Sequence, residues 1–432
     1  MSTASFLSTQ QQTAQDPRSG AIYHYMRSQI DNAKLQQQTI NRITPDSFGP
    51  SDHLPRKAHF DAVNALLDQS AHKADRTLRH MARLSQGPQT SESLKRFNTF
   101  KSLAKRRLSA TERIWAFYRD LFEQRVGPFA AELSAMDRIA LDCYQACYMG
   151  LGKARSIPTP PPLSYIDAST GPATFRRGVK VSRLARNPNP FPLVRLPYSR
   201  LITPWSLGAV PHEVGHNLQN DLNLWKEGPR LIGAELSRRG IPPAVRKTWQ
   251  TWHKEIYADL IGALLIGPAY VSSLMDVVGK SQNLVARFRR GAVHPTPIIR
   301  PSISNILLRK MGFQAEADTY DRAWRKLYPA HVAKRLPANF RATFQTAAEG
   351  TVDALVFTPH PAYGGGRLAD VVQFRRQDKA IVSEAAQRLA KGTNPGVIPE
   401  RFLIAAAREA LTRKLAPPQT IAANFYNVLL GR

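Results

Sequence analysis

Cysteine is almost absent from this chain of 432 residues. There are two, Cys143 and Cys147, which excludes a disulfide framework. They lie four apart in a helical stretch from Asp137 to Gly150, and no second pair completes a four-thiolate metal site. Both are expected to pack as small buried hydrophobes. Long apolar runs are missing as well. The best candidate, Leu260 to Met275, has sixteen residues including Gly267 and Pro268, short of the roughly 20 that span a bilayer. A buried helix interrupted at Pro268 is expected instead. The first twenty residues have neither a basic start nor an apolar core, so no secretory signal is expected, and a cytoplasmic location follows.

Acidic residues are scarce: 32 Asp and Glu face 60 Lys and Arg, a formal net charge of +28. Such a surface attracts polyanions, and nucleic acid, anionic lipid and acidic proteins fit it equally well. The bases concentrate in Lys95 to Arg107, where Phe97 and Phe100 are interleaved, and in Gly171 to Arg200, which holds seven bases and no acid. Basic residues alternating with aromatics can form a stacking surface for single-stranded nucleic acid, although a solvated helix face over core phenylalanines has the same pattern.

The length suits two or three structural units. Residues 1–55 are expected as a flexible or partly helical arm with one amphipathic stretch, Ile22 to Ile43. Residues 56–155 have the spacing of a helical N-terminal unit. Residues 156–170 open with SIPTPPPLS, a Pro-rich linker that forbids helix and suggests a boundary. A catalytic core is expected at 171–312 and a helical C-terminal region at 313–432. Phe191 to Leu196, FPLVRL, is the expected edge strand. The YGGGR segment at Gly364 to Gly366 lacks the Lys-Ser/Thr ending of a phosphate loop and is expected to be a turn.

The informative segment is Pro211-His212-Glu213-Val214-Gly215-His216, an H-E-x-x-H motif. On a helix, positions four apart share a face, so His212 and His216 can bind one ion while Glu213 reaches a water beside it. A third ligand and an open position are also needed. Trp252 to Asp259 (WHKEIYAD) offers Glu255, with Asp259 one turn on to accept a hydrogen bond from a ligand histidine. His253 competes with Glu255, but two residues of helix turn it about 200° away. Zn²⁺ is the expected metal, because imidazole and carboxylate ligands on this motif suit it.

Val293 to Arg300 adds a His and an Arg around a Pro-rich helix entry. The order H-E-x-G-H, E-x-x-A-D, H-P-x-x-x-x-R resembles the peptidase family that includes the HtpX-type proteases and the CAAX prenyl proteases. The resemblance covers Ser206 to about Arg309. It implies a mainly α (α+β) zincin-like fold with an active-site helix and a small edge sheet, flanked by helical N- and C-terminal regions. It further implies zinc on His212, His216 and Glu255, Glu213 as general base, and His294 or Arg300 near a peptide or protein substrate. Many members of that family are membrane-embedded, whereas no transmembrane segment is expected here.

The expected activity is peptide hydrolysis by metal-activated water, with the oxyanion held by the metal together with His294, Arg300 or Tyr270. The competing reading is a basic nucleic-acid- or polyanion-binding protein whose metal site is structural or vestigial. A third possibility is that the N-terminal unit covers the cleft until it is displaced.

Overall fold

The computed structural model describes residues 20–152, 157, 159–168 and 171–431, which are mainly helical with one three-stranded sheet. The chain divides into two compact units. The first runs to Ser47 and adds Phe60–Asp120 and Lys180–Asn187. The second comprises Phe48–His59, Leu121–Val179 and Pro188–Arg432. No described helix is long and apolar enough to cross a membrane.

In the first unit, helices α1 (Ala21–Thr39), α2 (Lys57–Gln86) and α3 (Ser91–Glu123) supply most of the structure. Met26 and Ile30 share one face of α1 and join Leu78, Met81, Phe97 and Ala104 in one apolar cluster. The arm expected at 1–55 is therefore a packed helix over Ala21–Thr39, and residues 1–19 lie outside the described residues. Asn64 fixes the chain after α1, its amide bonding both the N–H and the C=O of Ile43 at 2.9 and 2.8 Å. Phe97 is buried and Phe100 stacks on His80 with centroids 5.2 Å apart. The aromatic residues of Lys95 to Arg107 thus pack against the apolar cluster of this unit, as the reading of a helix face over core phenylalanines expects.

In the second unit, α4 (Ala130–Gly150) carries Cys143 and Cys147, which are buried as expected. Burial pushes the Cys147 thiol up to about 12, which makes it a poor nucleophile. Arg125 pairs with Asp137 at 2.6 Å and donates to the Ser164 carbonyl, which pins the strand after the prolines to α4. The proline segment is consequently not a boundary: Leu121–Val179 belongs to the same unit as Pro188–Arg432. Residues 153–156, 158 and 169–170 of that region lie outside the described residues.

Strands β1 (Leu163–Ile166), β2 (Ala173–Phe175) and β3 (Leu193–Leu196) lie in the order β1-β3-β2. β3 runs parallel to β1 and antiparallel to β2, with Ala173 opposite Arg195 and Phe175 opposite Leu193. The FPLVRL segment is therefore the central strand, not an edge. Its prolines, Pro192 and Pro197, flank the paired residues rather than interrupt them, so they leave both ladders intact. β2 is the edge strand on the side of the candidate site.

Next come α5 (Ala209–Asp221), α6 (Leu224–Arg238), α7 (Pro243–Ile266), α8 (Pro268–Val278) and α9 (Arg300–Lys310). The C-terminal region supplies α10 (Gln314–Leu327), α11 (Ala338–Val352), α12 (Arg376–Ala390), α13 (Phe402–Thr412) and α14 (Pro418–Leu430). These helices do not form the separate region expected at 313–432, because they share one core with α4 to α9. Trp249 of α7 stacks on Phe340 of α11 at 5.7 Å, and Trp252 meets the same ring edge-on. The Gly364 segment is a turn, with Gly364 and Gly365 at positive φ.

The run Leu260 to Met275 breaks where expected. Gly267 ends α7 at φ 62°, ψ −142°, Pro268 starts α8, and the reversal folds α8 back along α7. That conformation is open essentially to glycine alone. A Cβ on Gly267 would also overlap the Phe374 ring. Gly267→Ala is expected to lose about 2–4 kcal/mol in denaturant unfolding, from backbone strain and overpacking together. A loss below about 0.5 kcal/mol would show that the reversal does not depend on this residue.

Candidate metal centre

Helix α5 carries the motif. Pro211 is its third residue, inside the first turn, where a backbone N–H has no intrahelical acceptor and its absence costs nothing. Asn217 donates to Thr174 Oγ1 at 2.7 Å, which ties α5 to edge strand β2. Gly215 faces α7 so closely that a Cβ there would stand 2.9 Å from Ala258 Cα. This contact brings the polar faces of α5 and α7 together.

His212, His216 and Glu255 converge as a group whose candidate ligand atoms all lie within 4.8 Å of one another. Glu255 Oε2 is 3.6 Å from His212 Nε2, and Oε1 is 3.5 Å from His216 Nε2. Donors about 2.1 Å from a common ion in tetrahedral array stand roughly 3.4 Å apart, close to the two histidine–Glu255 separations. The donor chemistry fits as well, since two imidazoles and a carboxylate leave a fourth position for water or substrate.

Asp259 lies 3.0 Å from His212 Nδ1 and accepts a 2.6 Å hydrogen bond from Tyr270 Oη. His212 Nδ1 also hydrogen-bonds Tyr270 Oη at 3.1 Å, and its Nε2 faces Glu255. Arg300 closes the network, with Nε and Nη2 donating to the two Asp259 oxygens at 2.8 and 2.7 Å and Nη2 3.8 Å from Glu255. Arg300 and Tyr270 were both expected near the substrate. Their donors are instead turned to Asp259, behind His212 and Glu255. His294 differs. Its side chain is 66% exposed, Nε2 lies 3.4 Å from Glu255 Oε1, and it lines the cleft mouth. His253 faces away, with Nδ1 against the Gln250 carbonyl at 2.8 Å and the ring edge-on to Trp225, and takes no part in the cluster.

The charges here are strongly coupled. Burial disfavours a charge on His212, but hydrogen bonds to Asp259 and Glu255 outweigh it and raise its pKa to about 10. Burial, reinforced by the charge on His212, lowers His216 to about 3. Burial opposes the Asp259 charge too, yet Arg300 holds that carboxyl down at about 2. Glu255 is also held below the usual carboxylate range, since His212, His216 and Arg300 outweigh its burial. Glu213 moves the other way: burial lifts it to about 7 with only partial relief from His212. Among the described residues its carboxylate has no hydrogen-bond partner.

His212, Glu213, His216 and Glu255 line a cleft of about 420 Å³, within the range of ligand sites. One wall is β2 and its flanks, Gly171 to Thr174 and Arg176; another is Trp225, Lys254 and Glu255. Sequence reasoning missed the Trp225 wall. Arg176 stood within a basic stretch already noted, whereas nothing around Trp225 signals its position.

Removing Arg300 would leave two buried carboxylates without their fixed cation. Arg300→Met is expected to destabilise the protein by about 3–5 kcal/mol, read by denaturant unfolding. A neutral substitution would mean that Asp259 is balanced by His212 alone.

Compared with known proteins, the chain matches no family model, no curated protein and no solved structure.

Proposed function

We propose that this cleft is the centre of a zinc-dependent peptidase of the gluzincin type, with a zincin-like arrangement of α5, α7 and the small sheet. The observation that carries the reading is the meeting of two imidazoles and a carboxylate at zinc-ligand spacing beside a buried, unpaired glutamate in one cleft. His212, His216 and Glu255 would hold the metal. When bound, it would supply a Lewis acid and lower the pKa of a coordinated water to about 7.

The remaining chemistry belongs to the chain. Glu213, lifted to about 7, is matched to accept a proton from water near neutrality and return it to the leaving amine. Asp259, fixed by Arg300 and Tyr270, holds the His212 ring in one orientation. His294 is the exposed donor at the cleft mouth that can reach a developing oxyanion. The outer side of β2 borders the same cleft and offers an edge along which an extended peptide can align.

Elemental analysis of purified protein should find about one zinc per chain in wild type and in Glu213→Gln, and loss of zinc in His212→Ala and Glu255→Ala. Glu213→Gln should lower peptide hydrolysis by at least about 100-fold with zinc retained. Wild type that takes up no zinc after reconstitution would overturn the metal centre. Full hydrolysis by Glu213→Gln would overturn the assignment of the base.

A further inference from the structure

Most cations near the cleft have a carboxylate partner. Arg177 pairs with Asp221 at 3.4 Å, Arg195 with Asp167 at 3.7 Å and Arg300 with Asp259 at 2.7 Å. Arg176 and Lys254 do not: among the described residues neither forms an ion pair. Both instead lie against the Trp225 ring, the Arg176 guanidinium 3.8 Å and the Lys254 ammonium 4.0 Å from its centroid. A ring quadrupole offsets only part of the hydration that each cation gives up, and two like charges on one ring repel each other. Arg176 is half-buried, and dehydration lowers its pKa with no anion to counter it. This wall is an arrangement that an anion completes.

Its place along the cleft says which anion. Arg176, Trp225 and Lys254 line the same cavity as His212, Glu213 and His216. Arg176 and Trp225 also line a second cavity of about 720 Å³ that continues toward Asn220, Asn223 and His360. A chain lying in the first cavity and leaving through the second must cross the Trp225 ring.

Resting on the peptidase reading above, we propose that Arg176, Lys254 and Trp225 form a carboxylate subsite, so that the substrate carries Asp, Glu or a free C-terminal carboxylate beside the scissile bond. The indole supplies a flat floor for the chain and the two cations hold the carboxylate. The full-length Glu213→Gln protein, which should bind peptide without cutting it, allows binding to be measured apart from turnover.

Three decapeptides with acetylated N-termini are titrated by calorimetry into zinc-loaded and zinc-free Glu213→Gln protein: a neutral Gln-containing amide, the same amide with one central Gln replaced by Glu, and the neutral peptide with a free C-terminal carboxylate. At least one acidic peptide is expected to bind about tenfold or more tighter than the neutral one, with an advantage that shrinks as salt is added. The acidic peptide favoured tells an internal side chain from a chain terminus. Arg176→Gln and Lys254→Gln should each remove most of the advantage, and Lys254→Arg should keep it. Equal affinity for all three peptides, or no binding of any, overturns the subsite. Absence of zinc from the protein with the acidic preference intact overturns the peptidase reading and leaves the anion site standing.

Discussion

The candidate site depends on the close approach of two helices. Gly215 of α5 meets Ala258 of α7 with no room for a side chain between them: a Cβ at Gly215 would stand 2.9 Å from Ala258 Cα and 3.2 Å from Ile261 Cβ. His212 lies three residues before this contact and His216 one after it. On the facing helix, Glu255 and Asp259 stand in the same relation to Ala258. The helix period therefore projects both imidazoles and both carboxylates toward one point on either side of a fixed contact. The separations of 3.5 and 3.6 Å between imidazole nitrogens and Glu255 follow from how near the backbones come.

A second constraint holds the charges behind that contact. The break at Gly267 folds α8 back on α7, and Gly262 is so close to Tyr270 that a Cβ there would overlap its ring. Tyr270 Oη is thereby delivered to Asp259, while Arg300 reaches the same carboxylate from the start of α9. Asp259 receives donors from two separate elements and is left with one orientation. This rigidity holds the carboxylate fixed beside the His212 ring.

What was legible in the sequence follows from the range of the interactions involved. His212 with His216, and Glu255 with Asp259, are one helical turn apart, so their convergence is local and visible in spacing. The burial of Cys143 and Cys147 and the break at Pro268 are local in the same sense. The pairing of β3 with both β1 and β2 is not local, and FPLVRL looked like an edge because proline is excluded from ladders without regard to whether it flanks or interrupts them. Tyr270 and Arg300 presented donors that could serve a substrate as easily as a carboxylate; only the fold of α8 and α9 onto α7 decides which. Trp225 had no signal, because its importance comes from Arg176 and Lys254 arriving from elsewhere in the chain. The proline segment misled for a related reason: it breaks a helix, but unit boundaries are set by which apolar faces pack together, and α4 packs on α5.

The chain has few acids, and three of them, Glu213, Glu255 and Asp259, are buried around one point. Burying a carboxylate costs several kcal/mol unless a cation or hydrogen bonds offset it, and apolar residues of similar volume are commonly as stable or more so. Arg300 offsets Asp259 and part of the charge on Glu255, and a proton on His212 offsets more. His216 is held neutral by burial and by the charge on His212, with Nε2 3.5 Å from Glu255, and Glu213 is lifted to about 7 by its burial beside the cleft. The close packing at Gly215 thus gathers two imidazoles and three carboxylates around one point, the arrangement from which the proposed chemistry starts.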